Sequence, residues 1–473
     1  TNFVLTIVVV VSIMQLSNYY ISTRYNFLRY LFMKNLRYLI LLLIVGIVPP
    51  TSLEAANLID VYREALEHDA QYKVARHAYR ATQEKLPQGR AGLLPNIEFT
   101  GRERETLLHT DVRGENFISN RGLVITATQP LFRVENFIIY EQSKNEVAQG
   151  DARFILSAQD LILRLTQAYF DTLIAQVNVE AAEAQEKAFR QQLELMRHNL
   201  EFGLGTIVDT NEAESRHDLA VSQEIAARNA LEISKRNLQS IINRFPNDLT
   251  SVSIDNIVSD PLTMPYGNME ELVASAENKN YLLKIQQLAY EIAQQETSRA
   301  KAGHYPTLDL VGQYNNQINQ AFIVAGRGID FESKFIGVEL RIPVFQGFST
   351  QSRAREMLAN QDKARDELEN IRRIISLQVR QHYLNITNGI AQVKALKKAV
   401  ISSRSHLDST ILGQKSGIRI EIDVLNAQQQ YFSARKDLVV AYYNYLMSRL
   451  RLKANLGELD ESVLEEINAF LRG

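Results

Sequence analysis

FGLGTIVDTNEAESRHDLAV, Phe202 to Val221, and SGIRIEIDVLNAQQQYFSAR, Ser416 to Arg435, are two versions of one turn. Each sets a glycine six positions before an aspartate, Gly203 before Asp209 and Gly417 before Asp423, and an alanine four positions after it. Each leads into a long run of helix-forming residues. A glycine at this place is an ordinary C-terminal helix stop, and an aspartate just beyond it suits the first turn of the next helix. Both stretches therefore read as tips of helical hairpins.

The rest of the chain repeats in step with the tips. Arg90-Ala-Gly-Leu-Leu-Pro95 is answered by Lys301-Ala-Gly-His-Tyr-Pro306, and Gln129-Pro-Leu-Phe132 by Ile342-Pro-Val-Phe345. Gln167-Ala-Tyr169 is answered by Gln381-His-Tyr383. The offset stays between 211 and 214 throughout. A period this long marks two copies of a domain-sized unit and not a solenoid.

Each unit reads as helix, two strands, then a very long hairpin. Leu123, Ile125 and Ala127 alternate with Val124, Thr126 and Thr128, and Ile336, Val338, Leu340 and Ile342 alternate with Phe335, Gly337, Glu339 and Arg341. Leu308, Leu310 and Tyr314 continue the pattern in the preceding strand, whereas about 96–110 is more polar. Period-two alternation marks strands with two unlike faces. Phe99, Phe132, Tyr305, Tyr314 and Phe345 stand near strand ends, where a membrane barrel carries its aromatic girdles.

The hairpins carry helical stripes. Ala427, Tyr431, Ala434, Leu438, Ala441, Tyr445, Ser448 and Leu452 step by four and three, as do Val379, Tyr383, Ile386, Ile390, Val393, Lys397 and Val400. Ala220, Ala227, Leu231, Ser234, Leu238 and Ile241 form the matching stripe in unit one. A sustained 3.5-residue repeat means helices wound around neighbours. The proline-free stretch from Asn136 to Glu201 would reach roughly 100 Å as one helix. Four strands leave two raw edges, and a membrane barrel closes with about eight strands or more. Several copies are needed.

Lys+Arg 52 against Asp+Glu 54 gives no electrostatic case for nucleic acid. The 473 residues include no cysteine and no tryptophan, so no disulfide or thiolate site enters. From Met33 the run MKNLRYLILLLIVGIVPPTSLEAA has the layout of a secretory signal peptide, spanning 33–55. The other reading is a short membrane anchor. Residues 1–32, which open on Thr, read as upstream sequence. The expected division is then a first unit over 56–245 (strands about 96–132, hairpin about 135–243) and a linker over 246–268. A second unit follows over 269–457 (strands about 306–346, hairpin about 349–457), with a tail over 458–473.

Over residues 56–470 the chain resembles the TolC-type outer-membrane channels of type I secretion and drug efflux. Ser416-Gly-Ile-Arg-Ile-Glu-Ile-Asp-Val-Leu-Asn-Ala, Ala441-Tyr-Tyr-Asn-Tyr-Leu, Lys453-Ala-Asn-Leu-Gly-Glu-Leu and the Arg-Ala-Gly-x-x-Pro run carry the likeness. The resemblance implies a mainly α, α+β chain with four strands and long coiled-coil helices. Three copies would form a 12-stranded outer-membrane β-barrel, continued by a periplasmic α-helical barrel. It implies a periplasmic adaptor and an inner-membrane ABC or proton-driven pump as partners, and no cofactor. It also places Arg419 as the tie that closes the periplasmic end, Asp209 as its acidic partner and Asp423 on the narrowest ring. Asn426 stands where a second acidic ring is found, and Gln414 where a tyrosine tie is found. The turns at Gly203, Leu204, Gly417 and Ile418 would meet the adaptor.

An enzyme finds little support. The eight histidines are scattered without an HExxH run, and Gly203-Leu-Gly205 lacks the third glycine of a dinucleotide loop. The serious alternative is a periplasmic coiled-coil adaptor or scaffold without a channel. Cargo, whether protein or small molecule, is not written in these residues.

Overall fold

The computed structural model describes residues 57–110, 114–246, 248–262, 266–324 and 327–472. The signal segment and residues 1–32 lie outside the described residues. The described chain runs through the same sequence of elements twice. Helices α1 (Leu58–His68), α2 (Ala70–Gln83) and α3 (Lys85–Ala91) lead to strands β1 (Asn96–Thr110) and β2 (Gly114–Phe132). Helices α4 (Val134–Glu201) and α5 (Ile207–Ile242) form the first hairpin. After α6 (Ile254–Ser259), the helices α7 (Met269–Lys279) and α8 (Tyr281–Ala302) lead to β3 (Thr307–Val324) and β4 (Arg327–Arg341). Helices α9 (Ser349–Lys415) and α10 (Glu421–Asn455) form the second hairpin, and α11 (Glu461–Arg472) follows.

The strands make one antiparallel sheet in the order β1-β2-β3-β4, so β1 and β4 are its edges. Asn96 pairs with Thr128 in the first unit and Thr307 with Arg341 in the second. These pairs are related by the 211 and 213 offsets of the repeat, so the two β-hairpins share one register. Pleating then sorts the side chains. One face gathers Phe99, Ile125, Leu310 and Val338; the other gathers Glu98, Thr126, Asp309 and Glu339. Ile336, Val338 and Leu340 are 78%, 61% and 59% exposed, so nothing among the described residues covers the apolar face at this edge.

The long helices α4 and α9, of 68 and 67 residues, each extend about 100 Å. Their inward stripes are the ones the sequence marks: Val379, Ile386, Val393 and Leu438 are fully buried. Helix α4 also packs along α10, where the Phe170 and Tyr443 rings stack with centroids 4.7 Å apart. Around this belt the stretch joining the repeats is strapped down. Leu249, Val252, Ile257 and Leu262 are buried in the core. Tyr169 donates its hydroxyl to the Thr250 carbonyl at 2.7 Å, and Tyr442 donates to Asp260 Oδ2 at 3.1 Å. Tyr443 accepts from the Val252 N–H at 3.4 Å, and Lys397 Nζ donates to the Asp260 carbonyl at 2.5 Å. Lys397 thus sits on an apolar stripe because a carbonyl meets it; burial lowers its pKa from the ordinary 10.5. Helix α11 buries Leu464, Ile467 and Leu471 in the same core.

Candidate functional site

Two features stand ready to act on other molecules: the tips of the helical hairpins and the sheet. The tips share one backbone design. At the first, Gly203 has φ +70, its N–H donates to the Leu200 carbonyl, and the N–H groups of Leu204 and Gly205 both donate to the Asn199 carbonyl. At the second, Gly417 has φ +72, its N–H donates to Gln414, and those of Ile418 and Arg419 both donate to Gly413. Every partner is shifted by 214. The positive φ is why glycine stands at both places.

The next helix starts differently at the two tips. Thr206 caps α5: its Oγ1 accepts the Asp209 N–H at 3.2 Å, while Asp209 Oδ2 accepts the Thr206 N–H at 3.2 Å and its hydroxyl at 2.7 Å. That is a complete capping box. At the second tip the cap position is Ile420, which has no side-chain acceptor. Only half the box forms, with Asp423 Oδ2 accepting the Ile420 N–H at 3.4 Å. The same oxygen lies 3.6 Å from Arg419 Nη1.

Within the chain, therefore, Arg419 meets Asp423, and Asp209 is engaged by Thr206. The structure brings together Arg419 and Asp423 and does not bring Asp209 to Arg419. Glu212, the next acidic residue after Asp209, pairs with Arg216 at 2.5 Å. Asn426 is exposed one turn along α10 from Asp423, on the same helix face. Leu204 and Ile418 are each 80% exposed, and Phe202, Val208 and Ile420 beside them are exposed as well. Sequence reasoning missed Thr206 and Gly413; the Thr-x-x-Asp spacing at 206–209 was the available signal.

Where the sheet meets the hairpins, Arg133 forms a bidentate pair with Asp309, Nε to Oδ1 at 2.8 Å and Nη2 to Oδ2 at 2.5 Å. Asp309 is buried there, so the pair ties a strand of the second unit to the junction between β2 and the first helix of the first hairpin. No helix among the described residues is long and apolar enough to cross a membrane. No cluster of metal-ligating side chains occurs among the described residues either.

An antiparallel sheet with one apolar and one polar face, joined to hairpins of about 100 Å, describes a chain that contributes part of a barrel and part of a tunnel. A family model, outer membrane efflux protein, matches residues 61–244 and 272–458, one span per unit, and the chain belongs to that family. It is an outer-membrane channel protein whose hairpins extend into the periplasm. The outer membrane protein TolC of Vibrio cholerae is 29% identical over 88% of this chain and 94% of that protein. The alkaline protease secretion protein AprF of Pseudomonas aeruginosa is 30% identical over 88% of this chain and 87% of its own length. Among solved structures, the Campylobacter jejuni CmeC outer membrane channel superposes with a TM-score of 0.69 at 14% identity, covering 88% of this chain and 89% of that one.

Proposed function

We propose that three copies of this chain close a twelve-stranded barrel in the outer membrane and a helical tunnel across the periplasm. The assembly passes cargo that an inner-membrane ABC or proton-driven pump delivers through a periplasmic adaptor. The observation that carries this reading is the four-stranded sheet, whose edges are unpaired and whose apolar face is uncovered among the described residues. Three sheets supply enough strands for a closed wall with lipid outside and water within. AprF is named for protease secretion, which supports a type I secretion duct here, and a small-molecule cargo uses the same passage.

The tips close the periplasmic end in this reading. Arg419 holds the second hairpin inward, Asp423 sets a negative ring and Asn426 a neutral one beside it. Asp209 faces the neighbouring hairpin, and Gln414 leaves the latch weaker than a tyrosine would. The exposed Gly203-Leu204 and Gly417-Ile418 turns offer the adaptor apolar knobs.

The purified protein should run as a trimer in mild detergent and conduct ions in planar bilayers. Deleting it should abolish export of one secreted protein or sensitise cells to toxic compounds while the pump persists. A monomer in detergent, released from membranes by carbonate, would instead identify a periplasmic scaffold.

A further inference from the structure

The sheet ends on β1 and β4, each 15 residues long. An unpaired edge of that length is a template for another strand. Which strand fits, and in which register, is readable from the duplication. Residues of β1 and β3 are related by 211 and those of β2 and β4 by 213, and both β-hairpins obey the two shifts together. The β2–β3 seam is where the second strand of one unit meets the first strand of the other. Its repeat-equivalent is β4 against β1, which no single chain can form because these are opposite edges.

We propose that β4 of one copy pairs antiparallel with β1 of the next, in the register that the β2–β3 seam dictates, setting Glu339 directly across from Arg102. This rests on the reading of the chain as one part of a closed ring. The seam within the chain pairs Thr126 with Gln313, Thr128 with Val311 and Pro130 with Asp309. Shifting each by its offset gives Glu339 with Arg102, Arg341 with Thr100 and Pro343 with Glu98.

Three observations support this register. Gln313 Nε2 donates to Thr126 Oγ1 at 3.2 Å, so the parent pair is bonded across the strands. The shifted positions carry opposite charges, which favours direct cross-strand pairing. The seam also has a register shift between Pro130 and Phe132, and Pro343 and Phe345 repeat that pair at the edge. A one-residue slip would turn Arg102 toward the apolar face of the neighbour. A two-residue slip that opposes Glu339 to Arg104 would set Arg341 against Arg102. In the proposed register Arg341, bonded to Glu339 of its own strand at 3.0 Å, lies diagonal to Glu98. The contact is heterologous, so it grows head to tail until it closes.

The chain has no cysteine, so Arg102→Cys with Glu339→Cys introduces the only thiols. Directly opposed residues stand about 4.5–5.5 Å apart at Cα, within disulfide reach, whereas a two-residue offset stands beyond about 7 Å. Oxidised membranes carrying the double variant should give covalent dimers and trimers on non-reducing gels. Arg104→Cys/Glu339→Cys and Thr100→Cys/Glu339→Cys should give roughly fivefold less. In a second arm, Arg102→Glu should lower the fraction of trimer that survives mild SDS several-fold, and adding Glu339→Arg should restore it. If an offset pair cross-links better while the same trimer forms, the register is wrong and the channel reading stands. If the unmodified chain forms no oligomer, both fall.

Discussion

The stem of Arg419 lies over Gly413, so closely that a Cβ on that glycine would stand 2.8 Å from Arg419 Cγ. The equivalent positions of the first tip are Asn199 and Gly205, with bulk and space exchanged. There a Cβ on Gly205 would stand 3.3 Å from the Asn199 Cβ. The absent side chain of Gly413 is thus part of what aims Arg419 at Asp423.

Gly413→Ala should displace Arg419 and raise the conductance of trimers in planar bilayers. Gly205→Ala asks only a few tenths of an ångström of its neighbour and should leave conductance near the parent value. Equal conductance in Gly413→Ala and parent trimers would separate the placing of Arg419 from opening.

Arg419→Ser should open the tunnel further. A partly exposed pair is worth about 0.2–1 kcal/mol. Three copies acting on one opening supply roughly 1–3 kcal/mol, enough to shift the open population several-fold to a hundredfold. Asp423→Asn should lower cation preference and block by multivalent cations, and should loosen the tip in part, because Arg419 loses its partner at 3.6 Å. Single-channel recording with ion-selectivity measurements checks both, and unchanged traces would leave the turn as structural punctuation.

Thr206→Ala removes a complete capping box and should cost about 1 kcal/mol at the start of α5. The readout is faster amide exchange at Asp209 with conductance unchanged. Asp209→Asn keeps an acceptor for the Thr206 N–H, so its effect on exchange should be smaller. A conductance rise in Asp209→Asn that Thr206→Ala does not share would reveal a partner for Asp209 in the neighbouring copy.

Burial, reinforced by Arg451, holds the His382 imidazole below its ordinary 6.5, and its Nδ1 is buried without a hydrogen bond. The folded chain therefore favours neutral His382, while the unfolded chain takes up a proton near 6.5. Its contribution to stability is complete above that pH and is lost as pH falls through the folded value. Thermal unfolding in detergent should show a lower Tm at pH 5.5 than at pH 7.5, with a smaller drop in His382→Gln. An identical drop in both proteins would assign the loss to other groups.

Much of this was legible because each signal is periodic. The alternation at Ile336, Val338 and Leu340 and the stripe from Val379 to Val400 are repeated many times, so their elements read clearly. The tips were harder. Gly203 and Gly417 announce a turn, but which partner Arg419 reaches depends on Ile420 being unable to cap, a contrast with Thr206 visible only once the backbone is aligned. The stretch over 246–268 reads as a linker, yet Tyr169, Tyr442 and Tyr443 bond it into the core through contacts 81, 182 and 191 residues apart in the chain. Helix α11 lay within what reads as a tail, although Leu464, Ile467, Asn468 and Leu471 make a helical stripe that the core buries.

The shared register of the two β-hairpins has a consequence for how such a ring can change. Six separate half-length subunits would obey a sixfold symmetry, and a substitution at one tip would appear at all six. Joining two halves in one polypeptide let every second tip diverge. Thr206 gives one class of hairpin a firm start, while Ile420 and the exchanged Gly413–Arg419 pair give the other a looser one. In a ring of three such chains, wall and tunnel would stay nearly sixfold, and only the alternate tips would be free to swing.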